Sequence, residues 1–244
     1  MDALATNGTA VIICGDNHQP SGVFIPFGAY SRRLPMIKLQ FQQSKPRLKR
    51  LWQQIVKRKI ENQGKCLALL GISDEVTSMA SRVKSGDCDN VEGAAARKYF
   101  MSLFGENFSR QDDDFRNGML NYGYAIIRAC IARYIAVYGL EPSVGVFHHS
   151  EQNNFNLADD IIEVFRPVVD LYVGQSKVKG DDLTPTIKQD LVQLLNVDVL
   201  MKGMKQPVNY AIEQLVQEII KYYKSDTDEI NLPELLPINL HAYE

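Results

Sequence analysis

The chain lacks most of what would mark it as secreted, membrane-bound or redox-active. Its four cysteines, Cys14, Cys66, Cys88 and Cys130, lie far apart and form no Cys-x-x-Cys pair. That argues against zinc ribbons and dithiol redox motifs and suits a reducing compartment. No apolar run is long enough to cross a membrane. The N-terminus has neither the basic start nor the apolar core of a signal peptide. The expectation is a cytoplasmic protein with no membrane partner. An excess of one charge is missing too: 27 Lys and Arg stand against 29 Asp and Glu, a net charge of −2. No global basic field announces nucleic acid, so any such surface must be local. There is no P-loop, no Gly-x-Gly-x-x-Gly and no Gly-x-Ser-x-Gly, so nucleotide hydrolysis and serine-hydrolase chemistry have no local support.

What is present reads as an ordinary globular chain of 244 residues, 45% hydrophobic and 23% charged. Asn7-Gly8 is a turn signal. Thr9 to Cys14 and Val23 to Phe27 are strand-like, with turn residues from Gly15 to Gly22 between them. Everything later is mainly helical. The switch falls around Tyr30 to Ser44, in a basic stretch ending Ser-Lys-Pro. The fold class is therefore α+β, mainly α. A small β-rich domain over residues 1–34 is followed by a connector over 35–45 and a large helical domain over 46–244.

Pro46 opens a helix expected to end at Gly64, with Leu48, Leu51, Trp52, Ile55, Val56 and Ile60 at helical spacing. Lys45, Arg47, Lys49, Arg50, Lys57, Arg58 and Lys59 crowd this helix with no acid among them. They form either a phosphate-binding face or a solvated amphipathic surface. Cys66 to Val83 is predicted as a second helix. Arg116 to Tyr138 is the most apolar, and its stripe of Leu120, Tyr124, Ile127, Ile131, Tyr134 and Tyr138 reads as core rather than as a base-stacking platform. Thr184-Pro185 starts a short helix, a hairpin turns at Lys202-Gly203, and Pro207 opens the last helix. The tail from Ser225 is expected to be extended.

The stretch from Gly145 to Pro167 carries the chemistry. Val144 to Phe147 reads as a short buried strand ending at His148 and His149, two of the four histidines. Asn156 reads as the N-cap of a helix on which Asp159, Asp160 and Glu163 share one face. Adjacent strand residues point to opposite sides, so only one histidine can meet that face. An imidazole opposite several carboxylates suits Mg²⁺ or Mn²⁺ better than Zn²⁺. The plainer alternative is a structural ion pair, and first-turn acids also favour a helix's positive end. Glu163 lies deeper, among Ile161, Ile162, Val164 and Phe165, and needs a partner if buried. Pro167 cannot donate to the Glu163 carbonyl, so the helix must end or kink there. Farther upstream, Asp89 and Glu92 have the spacing of a capping box.

Several segments, in this order and spacing, together resemble the CRISPR-associated integrase, the first protein of the spacer-acquisition machinery (the Cas one family). They are Leu51-Trp52-Gln53-Gln54-Ile55-Val56 with Lys59-Ile60-Glu61-Asn62-Gln63, then Glu92-Gly93-Ala94-Ala95-Ala96-Arg97-Lys98-Tyr99-Phe100, then Leu120-Asn121-Tyr122-Gly123-Tyr124. Gly145-x-x-His148 leading to Asp160-x-x-Glu163-x-Phe165-Arg166-Pro167 completes the set. Phe155-Asn156-Leu157-Ala158-Asp159-Asp160 looks like the variant that accompanies the type II RNA-guided nuclease. The resemblance implies a β-rich N-terminal domain and a helical catalytic domain. It implies Glu92, His148 and Glu163 as catalytic metal ligands, with Asp160 beside them, and it selects His148 over His149. Only Met1 to Thr6 precede the segment that matches the family's later N-terminal strands, so the β-domain is expected in shortened form.

The resemblance further implies a DNA integrase and endonuclease using Mg²⁺ or Mn²⁺. A DNA 3′-hydroxyl would attack a phosphodiester at the edge of a repeat and insert new spacer DNA. Its partners would be double-stranded DNA, the second acquisition protein (Cas two) and a second copy of the chain. Arg97, Lys98, Arg166, Lys49, Lys57 and Lys59 are candidate contacts to the DNA backbone. Two rival readings remain: a metal-dependent nuclease without integration, and a non-catalytic DNA-binding or assembly protein whose acids pair internally.

Overall fold

Helix α3, Lys45–Leu69, is the longest element and the one on which the others are packed. It belongs to a computed structural model that describes residues 1–15, 20–26, 33–176, 180, 182–225 and 227–241. Leu51, Trp52, Ile55, Val56 and Ile60 are all buried, as their spacing predicts. The helix does not stop at Gly64. A Cβ there would lie 2.6 Å from the Asp74 carboxylate and 1.9 Å from Thr77 Oγ1. The glycine admits a close-packed turn rather than ending a helix. Asp74 Oδ1 accepts from Val76 and Thr77 N–H and starts a 3₁₀ turn over Thr77–Arg82. The helix expected over Cys66 to Val83 is thus two pieces.

Before α3, a short helix α1, Asp2–Thr6, precedes the antiparallel hairpin of β1, Val11–Cys14, and β2, Pro20–Phe24. Residues 16–19 of the expected turn, Phe27 and the first part of the expected switch lie outside the described residues. The stretch read as a connector contains helix α2, Arg33–Phe41, whose Gln40 is buried.

After α3 come α4, Val91–Phe104, and α5, Phe115–Val137, the latter N-capped by Asp114. Helix α5 is the inner helix, touching α6, Asn156–Ile162, α7, Arg166–Gln175, α8, Pro185–Gln193, and α9, Val208–Lys224. Its aromatic stripe packs into the core or against it. The second sheet is antiparallel in the order β4-β3-β5. Strands β3, Val197–Met201, and β4, Met204–Pro207, form the expected hairpin, with positive φ at Lys202 and Gly203. The tail is extended, and part of it pairs: β5, Glu234–Leu240, runs along β3 and buries Leu235. The fold is mainly helical, with a small β region at the N-terminus. No described helix is long and apolar enough to cross a membrane.

Candidate metal centre

The loop that carries His148 is not a strand, because its backbone partners are side chains. Gln40 Nε2 donates to the carbonyls of Glu141 and Val144 at 3.0 and 2.7 Å. The amides of Val146, Phe147 and His148 donate to the Asp160 carboxylate at 2.5, 3.0 and 3.2 Å. Gly145 permits this wrap: a Cβ there would lie 2.7 Å from Asp160 Oδ2 and 2.3 Å from the His148 carbonyl oxygen.

His148 Nδ1 lies 2.7 Å from Asp160 Oδ1. A carboxylate can only accept there, so Nδ1 carries the proton and Nε2 keeps its lone pair. The same hydrogen bond raises the His148 pKa above its ordinary value, outweighing the lowering effect of burial. Asp160, expected among the ligands, is completely buried, and both of its oxygens accept from N–H donors. It stands behind His148. Asn156 is not the N-cap of α6, a place taken by Phe155. Its Nδ2 instead donates to the carbonyls of Ser143 and Ser150, both at 2.9 Å. Asp159 faces away, paired with Arg128 at 2.5 Å.

Glu163 sits where the chain breaks between α6 and α7, with Pro167 in the first turn of α7. Its Oε1 accepts from Arg166 Nε at 2.9 Å. Its Oε2 is buried and meets the Lys59 ammonium in a charge-assisted ion pair. Burial alone would push this carboxyl up, but Arg166 and Lys59 prevail and hold it at about 2. Glu92 belongs to the first turn of α4 and forms no capping box. Asn90 is the N-cap, and Asp87 takes the Val91 and Glu92 amides at 2.9 and 3.0 Å. The Glu92 side chain is therefore free to turn inward, where Oε1 lies 2.6 Å from Lys59 Nζ.

Two carboxylates from different helices thus converge on one ammonium. Lys59 is buried, which disfavours its charge, yet Glu163 and Glu92 raise its pKa. Among the described residues, no three His, Cys, Asp or Glu side chains are drawn close enough to hold a metal ion. The donor set nonetheless suits a divalent cation. Two carboxylate oxygens from different helices, Glu92 Oε1 and Glu163 Oε2, already meet one positive charge, and the imidazole is oriented through its other nitrogen.

A cavity of about 220 Å³ opens beside Glu163, lined by Lys59, Gln63, Arg110, Tyr124 and Arg166. Behind it, Arg166 stacks over Tyr124 at 4.6 Å. Tyr124 and Tyr99 donate their hydroxyls to Asp170, whose carboxyl burial pushes up to about 6.

The predicted basic face divides. Arg47 is tied to the Tyr222 carbonyl, Arg50 to Asp228 at 3.0 Å, and Arg58 to Glu61 and Glu234 at 3.2 and 3.3 Å. Lys59 and Arg166 serve Glu163. Arg97 is exposed, Lys98 pairs with Glu75 at 2.8 Å, Lys49 is exposed and Lys57 half-buried. The role of Lys59 as counter-ion was missed, although a signal existed. Lys59 lies seven residues after Trp52, two turns along the same buried stripe.

The family described as CRISPR associated protein Cas1 matches residues 1–181. The CRISPR-associated endonuclease Cas1 of Neisseria meningitidis serogroup C (strain 8013) is 39% identical over 252 residues, covering all of this chain and 83% of the relative. A Cas1 endonuclease of Saccharolobus solfataricus is 28% identical over 220 residues, covering 83% of this chain and 68% of the relative. Among solved structures, a casposase bound to its integration product aligns with a TM-score of 0.72 at 24% identity, over 93% of this chain and 75% of that one. A chain of a partial Cas6-RT-Cas1–Cas2 complex aligns with a TM-score of 0.70 at 20% identity, over 91% of this chain and 80% of that one.

Proposed function

The chain belongs to the CRISPR-associated Cas1 family, and we propose that it is a divalent-metal-dependent DNA integrase. It joins a DNA 3′-hydroxyl to a target phosphodiester in spacer acquisition. One observation carries the reading: Glu92 and Glu163 converge on one cation, Lys59, and the His148 imidazole, oriented by Asp160, feels the Glu163 charge. Mg²⁺ or Mn²⁺ held by Glu92, Glu163 and His148 would supply Lewis acidity for the attacking hydroxyl and the crowded phosphoryl group.

The chain's own residues do the rest. Asp160 fixes the His148 tautomer and aims Nε2 outward. Arg166 and Arg110 line the cavity beside Glu163 and are placed to receive phosphate oxygens as fixed, bidentate donors. The Tyr99–Asp170–Tyr124 network braces Arg166 from behind. One phosphodiester replaces another, so no nucleotide hydrolysis is needed. Double-stranded DNA, a Cas2-type second acquisition protein and a second copy of the chain are the proposed partners. The Cas6-RT-Cas1–Cas2 complexes among its structural neighbours support the Cas2-type partner. Residues 1–34 and 46–244 are proposed as the N-terminal and catalytic domains.

A second reading has one observation in its favour. Lys59 and Arg166 together already neutralise both acids, as a non-catalytic assembly protein would require. The test is product length. A labelled strand with a free 3′-hydroxyl is incubated with a target duplex and Mn²⁺. Longer labelled strands are expected from the wild type and none from Glu163→Gln. Shorter strands alone would mean a nuclease, and unchanged strands a non-catalytic protein.

A further inference from the structure

A second cavity, of about 320 Å³, lies on the other side of His148, between the start of α3 and the loop from Val146 to His149. Its make-up differs from that of the carboxylate site. The floor is aromatic: Phe147 stacks on Trp52 with ring centroids 4.4 Å apart and parallel planes. Trp52 is 1% exposed, whereas Phe147 remains 44% exposed. The rim is basic: Lys45 and Lys49 line it with no ion-pair partner among the described residues, and the Lys49 stem runs beside Gly86. The His148 ring stands edge-on to both aromatic rings, 5.8 Å from Trp52 and 5.6 Å from Phe147. The cavity therefore adjoins the proposed reacting centre.

A flat, exposed aromatic face flanked by two cations without ion-pair partners among the described residues matches one kind of ligand. We propose that this cavity is a nucleotide subsite. It takes one unstacked base of the DNA strand next to the join. The base lies on the exposed face of Phe147, whose other face rests on Trp52. The ammonium groups of Lys45 and Lys49 meet the flanking phosphates. Stacking on an aromatic face is tolerant of base identity, so the subsite orders a strand end without reading its sequence. A protein side chain would use the apolar floor but would leave both lysines unmatched. The inference rests on the strand-transfer reading for its substrate, but its test does not depend on chemistry.

Trp52 is the single tryptophan of the chain, so its emission reports on this cavity alone. The protein, with chelator present so that no reaction occurs, is titrated with a single-stranded thymidine octamer and with an abasic octamer of equal length. The expected result is a saturable change in Trp52 emission with the thymidine octamer and at least about fivefold weaker binding of the abasic one. Phe147→Ala, at an exposed position, should abolish that preference. The double variant Lys45→Gln, Lys49→Gln should flatten the salt dependence of binding by about 1.4 in log–log slope, the value for two phosphates. Equal affinity for the two octamers, or unchanged Trp52 emission at saturation, would overturn the subsite. Base-dependent quenching in a chain that joins no DNA would uphold the subsite while the integrase reading fails. Joining of DNA without any base preference would do the reverse.

Discussion

His148 Nδ1 lies 2.7 Å from Asp160 Oδ1, and Asp160 also takes the His148 backbone amide at 3.2 Å. One carboxylate thus fixes both the ring and the loop that carries it. His148 can ligate a metal only when neutral, and its pKa is raised by that hydrogen bond. Metal affinity should therefore climb with pH through a midpoint above 6.5. Asp160→Asn should move that midpoint down, towards the ordinary histidine value, and weaken Mn²⁺ binding above it by about 10- to 100-fold. Calorimetric Mn²⁺ titrations from pH 5.5 to 8.5 measure both effects. An unmoved midpoint would show that Asp160 does not govern His148.

Lys59 makes a different prediction. Removing one member of a buried charge cluster leaves the others uncompensated, at a cost of about 3 kcal/mol. Lys59→Met should lose that much stability in denaturant unfolding without metal, as Glu92 and Glu163 repel. Added Mn²⁺ should then stabilise the variant more than the wild type, because no ammonium competes for the two carboxylates. Equal stabilisation of both proteins would mean that cation and lysine do not share a place.

Asp170 gives a pH signature of stability. Burial raises its folded pKa to about 6, against about 3.9 unfolded. Its stabilising contribution is complete below pH 4 and is lost as pH rises through 6. At about 1.4 kcal/mol per unit, the swing is on the order of 3 kcal/mol. Glu163 runs the other way: held at about 2, it stabilises the fold above pH 4.5 and loses that effect as pH falls. Comparing wild type with Asp170→Asn by urea unfolding at pH 4, 5, 6 and 7 isolates the first effect. The variant should gain on the wild type as pH rises, and parallel curves would refute the assignment.

Periodicity and the resemblance made much of this legible. The buried faces of α3 and α5, the hairpin at Lys202-Gly203 and the chain break at Pro167 followed from local rules that the packing did not override. What escaped was non-local. The Val144–Phe147 run has a strand's composition, but Gln40 and Asp160 take its backbone groups from 104 and from 13 to 14 residues away. Asp159, Asp160 and Glu163 share one sequence pattern but meet Arg128, His148 and Lys59 respectively. Helical spacing predicts a shared face, not which acid meets which base. The arginines of α3 read from sequence as part of either a phosphate-binding face or a solvated surface. They instead tie down the last helix and the segment that follows it, a pairing that no local rule contains.

The most direct test of the central claim uses a branched DNA that mimics a half-integrated product, with each strand labelled. It is incubated with wild type, His148→Ala or Glu163→Gln, in Mn²⁺ or in chelator. Resealing of the target strand with release of the branch is expected for the wild type in Mn²⁺ only, with at least about a hundredfold loss in either variant. Resealing that persists in Glu163→Gln, or in chelator, would contradict the account. So would cleavage of the branch with no joined strand.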